Sequence, residues 1–153
     1  MRKRVIMVMV DGFGVPAEGW SGSVYARFCI SEFVELLSKY SIPVDPSMGV
    51  DGIPQSATAQ TALFTGINAA RKIGRHIQGF PGQALREIIA SDSIFKKLLE
   101  KGLQVAFANA YVKYRLDDLS NMNLRSVTTV MVQSTLGWVR DIEYLIKGAA
   151  VYH

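Results

Sequence analysis

The chain has little of the two residues that build disulfide scaffolds and soft-metal sites. Its 153 residues include one cysteine, Cys29, and two histidines. One cysteine cannot form an internal disulfide, and no Cys-x-x-Cys pair is present for a structural zinc site. The composition therefore excludes a disulfide-stapled secreted domain and favours a reducing, cytoplasmic location.

Long apolar runs are also missing. The run Val5–Val10 follows basic residues, as the apolar core of a signal peptide would, but it has only six residues. A signal core needs roughly 7–15 apolar residues, and a membrane span needs about 18–20. We therefore expect neither a secretory leader nor a membrane partner.

The basic residues are scattered along the chain rather than striped along one face. The sequence has 17 Lys and Arg against 13 Asp and Glu, which gives a net charge of +4 at pH 7. The basic residues do not interleave with aromatic residues on one element, as a nucleic-acid groove would require. This balance favours a small anionic ligand over nucleic acid.

The apolar content is sufficient for one folded domain. Hydrophobic residues make up 49% of the chain and charged residues 20%. The length also matches the roughly 100–200 residues of a single domain. We therefore expect residues 1–153 to form one domain, without an internal repeat or linker.

Apolar strands alternate with amphipathic helices along the sequence. Val5–Val10 and Val105–Ala108 are continuous apolar runs, typical of parallel strands that are covered on both faces. Helical periodicity begins at Ser31 and again at about Ser93. The alternation predicts a three-layer α/β/α fold with a mostly parallel sheet.

Two further segments bear on this fold. The residues after Ser126 are β-branched, but the serine cap and Gly137 favour a helix, which we expect there. A β-like run at residues 150–152 leads directly to the last residue, His153. Few strands are evident for a parallel sheet, so we expect the domain to be incomplete at its C-terminus.

A carboxylate follows the first predicted strand. Asp11 stands at the end of this strand and is followed by Gly12 and Gly14. Ligands of open α/β sheets collect at the carboxyl ends of strands, which makes Asp11 a candidate metal or phosphate-site residue. The alternative is a simple Asp-Gly turn. Neither a dinucleotide-binding fingerprint nor a P-loop follows.

A hydroxyl group stands at the start of a predicted helix. The Ala-rich segment from Ser56 to Thr65 favours a helix, and Gly66 closes it. Ser56 then falls at the N-cap or in the first turn. The positive end of a helix stabilises an alkoxide or a bound oxyanion, although a capping role for this serine is the alternative.

These segments together resemble the alkaline-phosphatase superfamily of metalloenzymes. Its members place a Ser, Thr or Cys nucleophile ten residues before a glycine, and Ser56, Leu63 and Gly66 match that pattern. The segments 74–81 and 107–111 are similar to small metalloenzyme domains related to cofactor-independent phosphoglycerate mutase and phosphopentomutase. The resemblance covers most of the chain.

The resemblance implies a site with two divalent metal ions, Mn or Zn. Asp11 would be a metal ligand, and Ser56 would be both a ligand and the nucleophile. Thr58 is the second candidate nucleophile, although it shortens the spacing to Gly66 by two residues. The implied activity is hydrolysis or transfer of a phosphoryl or related ester group of a small substrate.

Three other residues are candidates for substrate binding. Arg75 and His76 follow the predicted nucleophile helix and can bind a phosphate or carboxylate, and the alternative is a solvated loop. Asn109, at the end of the second predicted strand, can donate to a substrate oxygen, although a turn asparagine is equally compatible.

The sequence departs from the family pattern in its second half. The Asp-His-Gly and Asp-x-x-x-His segments that complete the metal site in the family have no counterpart here. The competing interpretation is a non-catalytic fragment that acts as a phosphate-binding or interaction module, so enzymatic activity stays open. A sheet edge or apolar patch exposed by a missing half would also favour self-association.

Overall fold

The computed structural model describes residues 4–15, 19–113, 118 and 125–152. The chain divides into two compact units, Met1–Asp45 and Pro46–His153. Helices contain 48% of the described residues and strands 4%. The predicted three-layer α/β/α fold is therefore wrong, because the described ranges contain one two-stranded parallel sheet and no larger one.

The first unit contains short helices. A 3-10 helix at Trp20–Gly22 precedes α1 at Val24–Phe28 and α2 at Ser31–Tyr40. Ser23 caps α1 by accepting a hydrogen bond from the Ala26 N–H. The predicted helix after Ser31 is confirmed, but Ile30 is its N-cap and Ser31 is its first residue.

The predicted central strand at Val5–Val10 is wrong. These residues lie outside any helix or strand, and Val5 and Ile6 are 90% and 88% exposed. A β-branched run favours an extended backbone only when another strand supplies hydrogen bonds and a neighbouring layer covers its side chains. Within the described part of this unit, no other strand provides that pairing.

The second unit contains six described helices and the sheet. The helices are α3 Ser56–Thr65, α4 Ala69–Ile73, α5 Gln83–Asp92, α6 Ile94–Glu100, α7 Val127–Thr135 and α8 Ile142–Ile146, and the strands are β1 Asn109–Ala110 and β2 Val151–Tyr152. The helix predicted from Ser126 is confirmed as α7, where the Ser126 side chain accepts from the Thr129 N–H. Of the helices in the described ranges, none has the length and apolar character that a membrane crossing requires.

The sheet consists of one parallel pair. Asn109 lies opposite Val151, and Ala110 lies opposite Tyr152. The predicted strand at Val105–Ala108 is wrong, because these residues precede β1 without forming a strand. The β-like run at residues 150–152 does contribute a strand, β2.

The core of the second unit lies among its helices. α3 packs against α4 and α5, and α5 packs against α7. One cluster of buried residues joins Ala57, Ala69, Leu85 and Ile88, and the partly buried Ile77 packs against it. Two alanines in this cluster permit the close approach of α3 and α4 to α5. This packing fixes the position of the first turn of α3.

Candidate functional site

The candidate site is the first turn of α3. Gln55 is the N-cap but provides no side-chain hydrogen bond, and the first turn contains no acidic residue. Ser56 is the first helical residue and is half-buried. The structure confirms that Ser56 lies in the first turn and that Gly66, with a left-handed φ of 73°, ends the helix. The partial positive charge of this helix end has no acidic side chain in its own turn to offset it.

The second candidate nucleophile, Thr58, lies in the interior of the unit. Thr58 is completely buried, with 0% of its surface exposed. Its hydroxyl donates to the Gln55 carbonyl at 3.1 Å and accepts from the Ile77 N–H at 3.3 Å. These bonds engage the Thr58 hydroxyl in holding the first turn together, whereas Ser56 on the same turn is partly accessible.

A loop from the end of α4 is attached to this turn. Gly74, with a φ of 77°, terminates α4 in the left-handed conformation and redirects the chain. Three residues later, the Ile77 carbonyl accepts from the Ala57 N–H at 3.1 Å, next to Ser56. The loop positions of Arg75 and His76 are therefore fixed close to the first turn of α3. Arg75 itself is exposed.

The ring of His76 is oriented by the segment that leads into α3. Its Nε2 lies 3.2 Å from the Val50 carbonyl oxygen. A carbonyl only accepts, so we assign a proton to Nε2, which leaves Nδ1 as an acceptor in the neutral ring. Nδ1 is buried and has no hydrogen-bond partner among the described residues. An unfilled acceptor of this kind is uncommon in a folded protein.

Asp11 lies in a turn of the first unit. Its Oδ1 accepts from the Gly12 N–H at 3.0 Å, and Gly12 has a φ of 70°. This geometry is that of the Asp-Gly turn, the alternative that the sequence left open. Asp11 and Ser56 belong to different units, and the joint metal site predicted from them stays a prediction.

Asn109 contributes to the sheet. It is the first residue of β1, and its side-chain nitrogen donates to the Tyr152 carbonyl at 3.5 Å. This bond adds to the pairing of β1 with β2. The substrate contact predicted for Asn109 stays a prediction.

The described residues do not fit a metal centre. Among them, no three His, Cys, Asp or Glu side chains are grouped closely enough to hold a metal ion. A pair of divalent ions needs several protein oxygen or nitrogen ligands for each ion. We therefore assign no chemical step to a metal in this chain.

Two main-chain groups that shape the site could not be identified from the sequence. The Ile77 main chain and the Val50 carbonyl position the loop and the His76 ring. Main-chain groups are common to all residues, so side-chain patterns cannot reveal them. The one indication is Gly74, which predicts a chain reversal before Arg75.

Comparison of the chain with protein families, with curated proteins and with solved structures found no match. The resemblance to the alkaline-phosphatase superfamily thus rests on the sequence segments that carry it, and it stays a hypothesis.

Proposed function

We propose that this chain binds the phosphoryl group of a small phosphorylated molecule at the first turn of α3. The observation that supports this proposal best is the attachment of the loop carrying Arg75 and His76 to a helix end that bears Ser56. The Ala57 N–H to Ile77 carbonyl bond of 3.1 Å makes that attachment. A helix end and the Ser56 hydroxyl thus lie next to the loop that carries Arg75.

The electrostatics of this arrangement favour an anion. A helix N-terminus carries about half a positive elementary charge, and a bound anion gains roughly 0.3–1 kcal/mol from it at an accessible site. Arg75 adds a full positive charge and can form two parallel hydrogen bonds to phosphoryl oxygens. With no acid in the first turn of α3, no carboxylate on that turn competes for Arg75.

His76 fixes the loop that carries Arg75. With Nε2 held 3.2 Å from the Val50 carbonyl, the ring cannot rotate without losing that hydrogen bond. Nδ1 is buried in this orientation, so the ring positions the loop rather than contacting a ligand at the surface.

A second candidate function is phosphoryl transfer with Ser56 as the nucleophile, as the superfamily resemblance implies. The accessibility of Ser56, compared with the buried Thr58 hydroxyl, favours Ser56 for this role. Among the described residues, no three possible ligands are grouped closely enough to hold one of the metal ions that such chemistry uses in the family. We therefore propose binding as the function of this chain and keep transfer as the alternative.

Calorimetric titration with inorganic phosphate and with phenyl phosphate tests the proposal. Because charge-assisted hydrogen bonds are worth about 1.5–3 kcal/mol, Arg75→Ala should weaken binding by about tenfold or more. Arg27→Ala removes an equal charge from an exposed position on α1 and should leave the affinity almost unchanged. Equal losses in both variants, or no binding by the unmodified chain, would contradict the proposal.

A further inference from the structure

The apolar side chains of the first unit are exposed to an unusual degree. Among its described residues, Ser23 alone is buried, and no hydrophobic side chain is. The two most exposed hydrophobic residues, Val5 at 90% and Ile6 at 88%, lie in the run Val5–Val10, where Val8 is also 77% exposed. Monomeric proteins rarely leave a continuous apolar segment of this kind open to water.

The same run has the composition of a β-strand. Val, Ile and Met fill all six positions from Val5 to Val10, without charge, proline or glycine. Such segments pair readily with another strand, because pairing satisfies main-chain hydrogen bonds and buries apolar side chains together. In the described part of the first unit, no strand is available to pair with this run.

Charged residues flank the run with opposite signs. Arg4 precedes it and Asp11 follows it. If the run pairs with the same run of a second copy in antiparallel orientation, Arg4 lies opposite the partner's Asp11. Every apolar residue then lies opposite an apolar residue, with Met7 opposite the partner's Val8 at the centre. Opposite charges that face each other across strands stabilise the pair.

A parallel arrangement gives a different result. In register, it places Arg4 against Arg4 and Asp11 against Asp11, so both ends of the pair are repulsive. The antiparallel arrangement is also two-fold symmetric, as most homodimer contacts are. Charge and symmetry therefore select the same geometry.

We propose that residues 4–11 form a self-association strand through which two copies of this chain pair in antiparallel orientation. The proposal is independent of phosphate binding at α3. The exposed apolar run of the first unit then pairs with the identical run of another molecule. The flanking charges fix the register of the pair.

Sedimentation of the full chain over a concentration series tests the pairing. The unmodified chain should form a dimer, and Val8→Lys should raise the dissociation constant at least tenfold, because a charge then lies at the apolar centre of the pair. Val24→Lys changes a valine of the same unit that is 63% exposed and lies outside the run, and it should leave the dimer intact. Circular dichroism checks that both variants keep their helices.

Three outcomes of this series would overturn the proposal. The first is a chain that stays monomeric up to about 1 mM, because a dimer with a dissociation constant of about 1 mM is half formed at that concentration. The second is an equal loss of dimer in Val8→Lys and Val24→Lys. The third is open-ended growth into larger assemblies instead of a dimer.

Reversal of the flanking charges tests the register. Arg4→Asp places two carboxylates opposite each other at both ends of the pair and should weaken the dimer about tenfold at low salt. Adding Asp11→Arg to that variant restores opposite charges and should recover most of the affinity. If the double variant is as weak as Arg4→Asp, or if Arg4→Asp has no effect, the antiparallel register is wrong.

Discussion

At the scale of single residues, one turn of α3 contains two hydroxyl groups in different surroundings. Ser56 is half-buried, whereas Thr58 is fully buried and bonded to the Gln55 carbonyl and the Ile77 N–H. The two hydroxyls therefore differ in accessibility. The sequence allowed either residue to be the nucleophile, because burial depends on a loop that returns from α4.

The stabilities of two alanine variants should reflect this difference. Thr58→Ala leaves the partly buried Ile77 N–H without this acceptor and removes a buried methyl group, and it should lower the free energy of unfolding by about 2 kcal/mol. Ser56→Ala should cost less than about 1 kcal/mol, because Ser56 is partly solvated and Gln55 is the N-cap. Urea denaturation measures both values.

Thr58→Ser is the matched control for this comparison, because it keeps the hydroxyl and removes only a methyl group. It should retain more stability than Thr58→Ala. Equal stability of Ser56→Ala and Thr58→Ala would show that the Thr58 bonds do not hold the turn.

Tyr111 provides a test of pH dependence. Burial raises the pKa of its phenol above the ordinary value of 10.0, although the hydrogen bond with the Thr129 hydroxyl at 2.8 Å acts in the opposite direction. Above pH 10 the unfolded chain loses the phenolic proton before the folded chain does. The folded state then binds more protons, so this contribution to stability is present below pH 10 and is lost as the pH rises.

Tyr111→Phe should therefore reduce the fall in stability at alkaline pH. Urea denaturation at a series of pH values from neutral to alkaline measures the slope for both proteins. At neutral pH the variant should be about 1 kcal/mol less stable, because the Thr129 hydroxyl loses a buried partner. If the free energy of unfolding falls with alkaline pH at the same slope in both proteins, Tyr111 is not the cause of that fall.

At the scale of elements, α6 supports the C-terminal end of α3. The Lys97 ammonium donates to the Thr65 carbonyl at 2.6 Å, in the last turn of α3. A cation at this position interacts favourably with the negative end of the helix. The two ends of α3 are thus stabilised by segments that are distant from it in sequence.

Lys97→Met should lower the free energy of unfolding by about 1 kcal/mol, because it removes this charge-assisted bond and keeps an apolar side chain. Lys96→Met is the control. Lys96 forms a 3.9 Å ion pair with the exposed Glu100 on the same helix, so its loss should cost about 0.3–0.5 kcal/mol. A reversed order of the two effects in urea denaturation would contradict the role of Lys97.

Elements that depend on local signals could be predicted from the sequence. Ser93 and Ser126 accept from N–H groups three residues ahead, and Gly102 has a φ of 71° after α6, as caps and glycine stops require. Each signal acts within a few residues. The predicted strands at Val5–Val10 and Val105–Ala108 failed because a strand depends on partners that are distant in the sequence.

At the scale of the whole molecule, helix packing in the second unit takes the place of the predicted sheet layers. Buried residues of α3, α4 and α5 form one cluster, and the sheet has two residues in each strand. The apolar fraction of 49% predicted a core but could not distinguish helix packing from sheet packing. For the candidate site, the sequence placed Ser56 in the first turn, whereas the loop attachment through Ile77 required the fold.

Catalysis by the whole chain depends on whether it can hold metal ions. In the described residues, no group of three possible ligands is available for one metal ion, and phosphoryl transfer by two ions requires a ligand set for each. We therefore expect that hydrolysis of an aryl phosphate, measured with added manganese or zinc, will not exceed the rate of a metal-only blank. Ser56→Ala should give the same rate as the unmodified chain.

Metal-dependent turnover that Ser56→Ala abolishes and Thr58→Ser retains would contradict this expectation. It would favour the transferase alternative over binding alone, because a capping or binding serine does not control a covalent step. The ligands would then come from residues outside the described ranges or from a second subunit. Repeating the assay with the Val8→Lys variant separates these two sources, because a site shared between paired copies should lose activity when the dimer dissociates, whereas a site within one chain should not.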